Sequence, residues 1–321
     1  MRSDFGRILA TGAALCGLLL AAACTEISPR TSLPPQSRPE GLAPPPDARK
    51  ISARSADLAG YYRTIQTNLL TQGLLRTDGG GADTPFDAVD LARNFEKIVF
   101  YDEYRRSGGV NAHDGRIAKP LSRWNMPVRI ALEFGDSVPE DIRKTDSDRV
   151  SSYAARLGRI TGHSVRSVSG NANFHVFVAG EDDRDFLQAR LKALVPGISA
   201  NELDLFGNLP RSFYCLVVAV PDPNTPNEYT RAVALVRAEH PDLVRLSCFH
   251  EEIAQGLGLA NDSPEARPSI FNDDDEFALL TDHDELLLKM LYDPRLRPGM
   301  SIDEARPVIR ILARELTGEE L

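Results

Sequence analysis

Between residues 51 and 321 the spacing of apolar positions switches between two periods, and each period predicts an element. Leu58, Tyr62, Ile65 and Leu69 fall on one helical face, and Leu91, Phe95 and Ile98 on another. The TDGGGADTP stretch between them lacks the Gly-Lys-Ser/Thr ending of a phosphate loop, so it predicts a turn and not a nucleotide site. Val128, Ile130, Leu132 and Phe134 alternate with Arg129, Ala131 and Glu133, which predicts a half-buried strand. Val150, Ala154, Leu157 and Ile160 predict a helix closed by Gly162. Phe174–Val178 predicts a strand, Phe186–Leu194 a helix, and Tyr214–Val220 and Thr230–Val236 two inner strands around PDPNTPNE. Leu243–Leu259 reads as a helix after Pro241-Asp242. Ser301 opens a final helix that Pro307 should break or restart. The expected fold class is α+β, a mixed twisted sheet with flanking helices.

The first fifty residues have a different pattern. Arg2 and Arg7 precede an apolar run, Ile8 to Ala23, with the grammar of a secretory signal. Its ending, Leu20-Ala21-Ala22-Ala23-Cys24, resembles a bacterial lipoprotein signal, with Ala21 where Leu is usual. That resemblance implies cleavage after residue 23, acylation of Cys24 and attachment to a membrane surface. Thr25 after the cysteine resembles outer-membrane sorting, which favours the outer over the inner membrane. Residues 24–50 then carry seven prolines between Thr25 and Lys50 and few large apolar side chains, the composition of an extended tether. Thus the expected organisation is signal 1–23, acylated cysteine and tether 24–50, and one domain 51–321 facing the periplasm.

Composition narrows the partners. Lys+Arg 37 against Asp+Glu 46 gives a net charge of −9, which argues against a nucleic acid held by a general basic field. Export implies an oxidising compartment. Of the four cysteines, Cys16 lies in the signal and Cys24 at the anchor, so Cys215 and Cys248 are expected to pair, the alternative being two buried thiols. Closing that loop stabilises the chain by about 3.7 kcal/mol in the chain-entropy description.

Candidate chemistry concentrates in residues 247–300. His250-Glu251 suggests the H-E-x-x-H zinc helix, but Ala254 stands where the second histidine should be. One residue on, Glu251-Glu252-Ile253-Ala254-Gln255-Gly256-Leu257-Gly258-Leu259-Ala260-Asn261 has the spacing of the metzincin motif H-E-x-x-H-x-x-G-x-x-H. The resemblance implies ligand positions at Glu251, Gln255 and Asn261 (with Asp262 beside it), a general base at Glu252 and a sharp turn at Gly258. Glutamate and glycine match, and all three histidines are absent. Ser269-Ile270-Phe271 resembles the Ser-Ile-Met of a metzincin Met-turn. Leu280-Thr281-Asp282-His283-Asp284, with Leu287, Met290, Leu291 and Tyr292 after it, resembles the helix that closes that fold. A metzincin-like half is therefore expected over about 125–300. As a set, these segments and Leu-Tyr-Asp-Pro-Arg-Leu-Arg-Pro-Gly-Met also resemble a family of uncharacterised proteobacterial lipoproteins.

The helix supports three readings. A zinc peptidase would use Glu251, Gln255 and Asn261 or Asp262 as ligands, although zinc favours nitrogen and sulfur donors. A calcium site could draw on Asp273, Asp274, Asp275 and Glu276. The favoured reading is a metzincin-like fold with no catalytic cofactor, serving an envelope protein or peptide partner in a scaffold role. His113, His163 and His240 sit in polar contexts and are expected to be exposed. His175 lies on the strand face opposite Phe174, and His250 is expected beside the cleft rather than on a metal. No G-x-S-x-G elbow occurs, and a disulfide would leave no cysteine for Cys-His catalysis.

Overall fold

The computed structural model describes residues 51–101, 104–105, 111–112, 118–272 and 274–320. The expected signal, Cys24, the tether, His113 and Asp273 lie outside them. Residues Arg49–Leu321 cluster as one unit. In chain order it comprises α1 (Ala53–Thr71), α2 (Ala88–Val99), β1 (Tyr104–Arg105), β2 (Asn111–Ala112), β3 (Arg123–Trp124), β4 (Val128–Phe134), α3 (Glu140–Thr161) and β5 (Val165–Ser167). Next come β6 (Phe174–Ala179), α4 (Arg184–Leu194), α5 (Ala200–Gly207), β7 (Cys215–Pro221), β8 (Glu228–Arg237), α6 (Asp242–Leu257), α7 (Asp282–Leu291) and α8 (Ile302–Thr317).

The main sheet runs β3-β8-β6-β4-β5, all parallel, and β7 joins β8 antiparallel. The α+β expectation of a mixed sheet with flanking helices therefore holds. Strand alternation feeds two cores. Val176, Val178, Ala232, Ala234 and Val236 face the larger one, with Leu91, Leu157, Ile253 and Leu287 from the helices. Phe177, Val233 and Leu235 face the smaller one, with Leu187, Leu191 and Phe206 from α4 and α5. Covering both faces is why β6 is apolar at nearly every position and buried at all of them.

Open parallel sheets take ligands at the carboxyl ends of their strands, where the connections diverge. Here the chain fills that place itself. Asp183 accepts from the backbone N–H of Gly180 and Ser137, each at 2.9 Å, and from the Ser137 hydroxyl. A side chain at Gly135 would overlap Asp183, its Cβ standing 2.2 Å from the Asp183 carboxyl carbon. Beside it, Glu239 accepts from Glu181 N–H at 2.7 Å and from the Ser55 hydroxyl at 2.8 Å, and burial pushes its carboxyl pKa up.

Two expectations are corrected. Pro307 neither breaks nor restarts the last helix, since α8 runs through it. Ser301 and Glu304 form a full capping box, and Ala305, Ile309 and Leu312 bury one face. The Asp303 carbonyl that loses its donor belongs to an exposed residue, where water can satisfy it. His240 is not exposed: it retains 3% accessibility, with its ring edge-on to Tyr62 at 4.4 Å. Helix α1 covers it, because Tyr62 is one of only two buried residues on that helix.

Replacing Asp183 with Ala leaves two backbone donors and a hydroxyl without an acceptor. It is expected to lower the unfolding free energy by about 3 kcal/mol, read as a reduced urea midpoint at unchanged slope.

Candidate functional site

Helix α6 starts at Pro241 without a side-chain cap. One orphan donor, Val244 N–H, is met from outside by Gln66 Oε1 of α1 at 3.2 Å. The next residue, buried Arg245, pairs with fully buried Asp146 at 2.7 Å. Burial pushes the Asp146 carboxyl pKa up against the pull of Arg245. Cys248, Phe249, Ile253, Ala254 and Leu257 lie in the main core. At Gly256 the helix comes so near the sheet that a Cβ would stand 2.4 Å from the Phe174 ring. Trp124 Nε1 donates to the Gly256 carbonyl at 2.8 Å. Gly258 ends the helix at φ 129°, and there a Cβ would meet the Ser122 carbonyl at 2.8 Å.

Beyond this bend the chain turns back towards the helix. Asp262 Oδ1 accepts from Gln255 Nε2 at 3.2 Å, whereas Asn261 turns its amide to the Lys97 carbonyl at 3.0 Å. Glu251 and Gln255 lie one turn apart on one helical face. The structure therefore brings Glu251, Gln255 and Asp262 to one side of α6 and directs Asn261 elsewhere. Glu252 is buried, and Glu251 is half-buried.

The disulfide forms as expected, Cys215–Cys248 with Cα atoms 5.9 Å apart, and fastens α6 to β7. This bond sets the composition of the site. Cys215 Sγ and one carboxylate oxygen each of Glu251 and Glu252 lie within 4.8 Å of one another. Cys215 is the member that reading the sequence missed, although a signal was present. Glu251 and Glu252 come three and four positions after Cys248, so they share its face, and any partner of Cys248 must lie beside them.

His250 points the other way. Its ring stacks on Tyr153 at 4.0 Å, and its Nδ1 accepts from Leu280 N–H at 3.1 Å. Burial, with the nearby Arg156 charge, pulls its pKa down to about 3. His175 contacts Glu133 at 2.7 Å, and His163 contacts the Met126 carbonyl at 2.9 Å. Two of the proposed calcium acids, Glu276 and Asp274, are engaged elsewhere. Glu276 is held by Arg267 at 2.6 Å and Arg76 at 3.1 Å, and Asp274 accepts from Glu276 N–H at 2.9 Å.

Ser269-Ile270-Phe271 is pinned to the start of α7 by Asp284. That carboxylate accepts from the Ser269 hydroxyl at 2.5 Å and from Ile270 and Thr281 N–H at 3.0 Å each. Tyr292, just past α7, donates to the Leu257 carbonyl at 2.9 Å and so closes the end of α6. This serine, aspartate and His283 do not form a triad: Ser269 bonds to Asp284 rather than to the histidine, and all three are buried.

The donors present do not fit a catalytic zinc ion. Gln255 directs an N–H2 group at Asp262, and a hydrogen-bond donor repels a cation. The sulfur in reach belongs to a disulfide, while zinc binds thiolate. The geometry defines a helix-flanked parallel-sheet protein with a carboxylate-bearing helix covalently tied to its antiparallel strand. Residues 88–311 match the family described as protein of unknown function (DUF2927), and the chain belongs to that family. No curated protein and no solved structure matches the chain.

Gly258→Ala combines a left-handed backbone with a contact on Ser122, and is expected to cost about 2–3 kcal/mol of stability in urea melts. The His250 pKa lies below its unfolded value near 6.5, so the stability it contributes is present above pH 6.5 and lost as pH falls towards 3. Buried His240, whose pKa is also lowered, acts in the same direction. His250→Gln should flatten the fall of unfolding free energy over that window, measured by denaturation at successive pH values.

Proposed function

We propose that the protein is a lipid-anchored component of the cell envelope, held through Cys24 on a Pro-rich tether and facing the periplasm. In this reading the folded unit is a metzincin-like module that binds a protein or peptide partner and does not cleave it. One observation carries the reading. Segment 251–262 keeps the helix, the bend at Gly258 and the return to Gln255, yet its ligand positions offer a carboxylate, an amide turned the wrong way and a displaced Asn261. Further support comes from Ser269-Ile270-Phe271, tied through Asp284 to the closing helix as a Met-turn-like support would require. The disulfide suits an exported chain. Among the described residues no helix is long and apolar enough to cross a membrane. Membrane attachment would then rest on the acylated cysteine.

A second reading is favoured by the neighbouring carboxylates of Glu251 and Glu252, one on a ligand position and one on the base position of the motif. It is a metallopeptidase with an oxygen-rich site, in which Glu252 takes a proton from water as general base.

Residues 24–321, oxidised and carrying Cys24→Ser, contain the whole folded unit and discriminate between the two. Native mass spectrometry should find far less than one metal ion per chain, and peptide libraries should be cut no faster than by Glu252→Gln. Stoichiometric metal, with cleavage lost in Glu252→Gln, would establish the peptidase instead. For the address, the full chain should partition into detergent and Cys24→Ser into the aqueous phase. Identical partitioning of the processed forms would remove the anchor.

A further inference from the structure

One part of the misfit between the site and zinc is the oxidation state of a single sulfur. We propose that Cys215, Glu251 and Glu252 form a metal site that the Cys215–Cys248 disulfide keeps closed, and that reduction opens it to zinc or a similar thiophilic divalent cation. This goes beyond the partner-binding role and stands independently of it.

The three donor atoms come from two elements, β7 and α6, and already lie within 4.8 Å of one another. Around a tetrahedral zinc, with bonds of about 2.3 Å to sulfur and 2.0–2.2 Å to oxygen, donors sit about 3.6 Å apart. From 4.8 Å the required contraction is therefore about 1.2 Å at most, within the reach of glutamate rotamers. Two carboxylates this close repel each other, and a cation between them offsets that repulsion. In the oxidised chain the third donor is a disulfide sulfur, which carries no charge. Reduction turns it into a thiol whose thiolate is a strong zinc ligand. One thiolate and two carboxylates leave a fourth position for water.

The opening step balances with a dithiol reductant. Its two thiols supply two electrons and two protons, the Cys215–Cys248 bond breaks, and the reductant leaves as its own disulfide. Metal binding then releases the Cys215 proton to solvent. Cys248 remains in the core beside His240, with Sγ 3.8 Å from Nδ1.

Cadmium is the probe, because its bond to thiolate absorbs in the near ultraviolet and reports sulfur ligation without any activity. The chain from residue 24 with Cys24→Ser is titrated in three states: oxidised, reduced by a dithiol that is then removed under anaerobic conditions, and as Cys248→Ser, which frees Cys215 without reductant. The oxidised chain is expected to give no charge-transfer band. The reduced chain and Cys248→Ser should each take about one equivalent with a band. Adding Glu251→Gln to Cys248→Ser should weaken binding by about 10–100-fold. A band of equal strength in reduced Cys215→Ser, or none in reduced, folded chain, overturns the proposal. Circular dichroism checks folding, and the reduced chain carries the test should Cys248→Ser unfold. Failure here leaves the partner-binding reading intact, since that reading concerns the oxidised protein.

Discussion

Helix α6 lies against the sheet at a distance that only a glycine permits. At Gly256 the Phe174 ring occupies the space of a side chain, and the Trp124 indole reaches past it to the helix carbonyl. This close approach fixes the surroundings of the helix. It holds Cys248 where the bond to Cys215 on β7 can close, and it brings the end of the helix under the Tyr292 hydroxyl. It also forces the exit at Gly258, because Ser122 and Leu291 leave no room for a wider turn. Asp262 reaches Gln255 as a consequence. The site geometry arises from packing of the helix on the sheet.

The other end of the sheet explains why the α6 side is the candidate. Helix N-termini and strand ends in parallel sheets present N–H groups that attract anions. In this chain Asp183 and Glu239 satisfy those donors from within, and α1 lies over Glu239 through Ser55. A crevice occupied by the protein's own carboxylates is a poor place for a phosphate or a nucleotide. It agrees with the Gly-rich connection of residues 77–85 being a turn. There Arg76 holds Asp78 and Asp83, at 3.0 and 2.7 Å, and Gly80 lies against Pro268.

Much of this architecture is legible in the chain. Leu91, Phe95 and Ile98, all fully buried, mark helix α2, and the Thr281–Asp284 box marks α7. Strands β4, β6, β7 and β8 can be read from alternation or continuous apolarity. The two-residue strand β3 cannot, because Arg123-Trp124 has no period and holds its place through Trp124 packing and two carbonyls bound by Arg123, at 2.5 and 2.9 Å. The burial of His240 is hidden from local pattern because it depends on Tyr62, nearly two hundred residues away. At Pro307 the rule against proline in helix interiors misleads, because the residue sits near a capped, solvent-facing helix start. In the site, the spacing of Glu251, Gln255 and Gly258 is visible in the sequence. The choice of Asp262 over Asn261 is not, since it depends on which amide reaches the Lys97 carbonyl.

The local geometry around α6 is maintained by a few separate contacts. Each can be named. The bend rests on Gly258, the supporting turn on the Asp284 carboxylate, the outer face of α6 on the His250 ring stacked against Tyr153, and the link to the sheet on a covalent bond. None of these involves Glu251, which is half-buried. Glu252 differs, because a carboxylate held at 4% exposure beside a second one costs free energy wherever it serves only packing. Two acids at consecutive positions beside Cys215 therefore concentrate negative charge on this turn of α6.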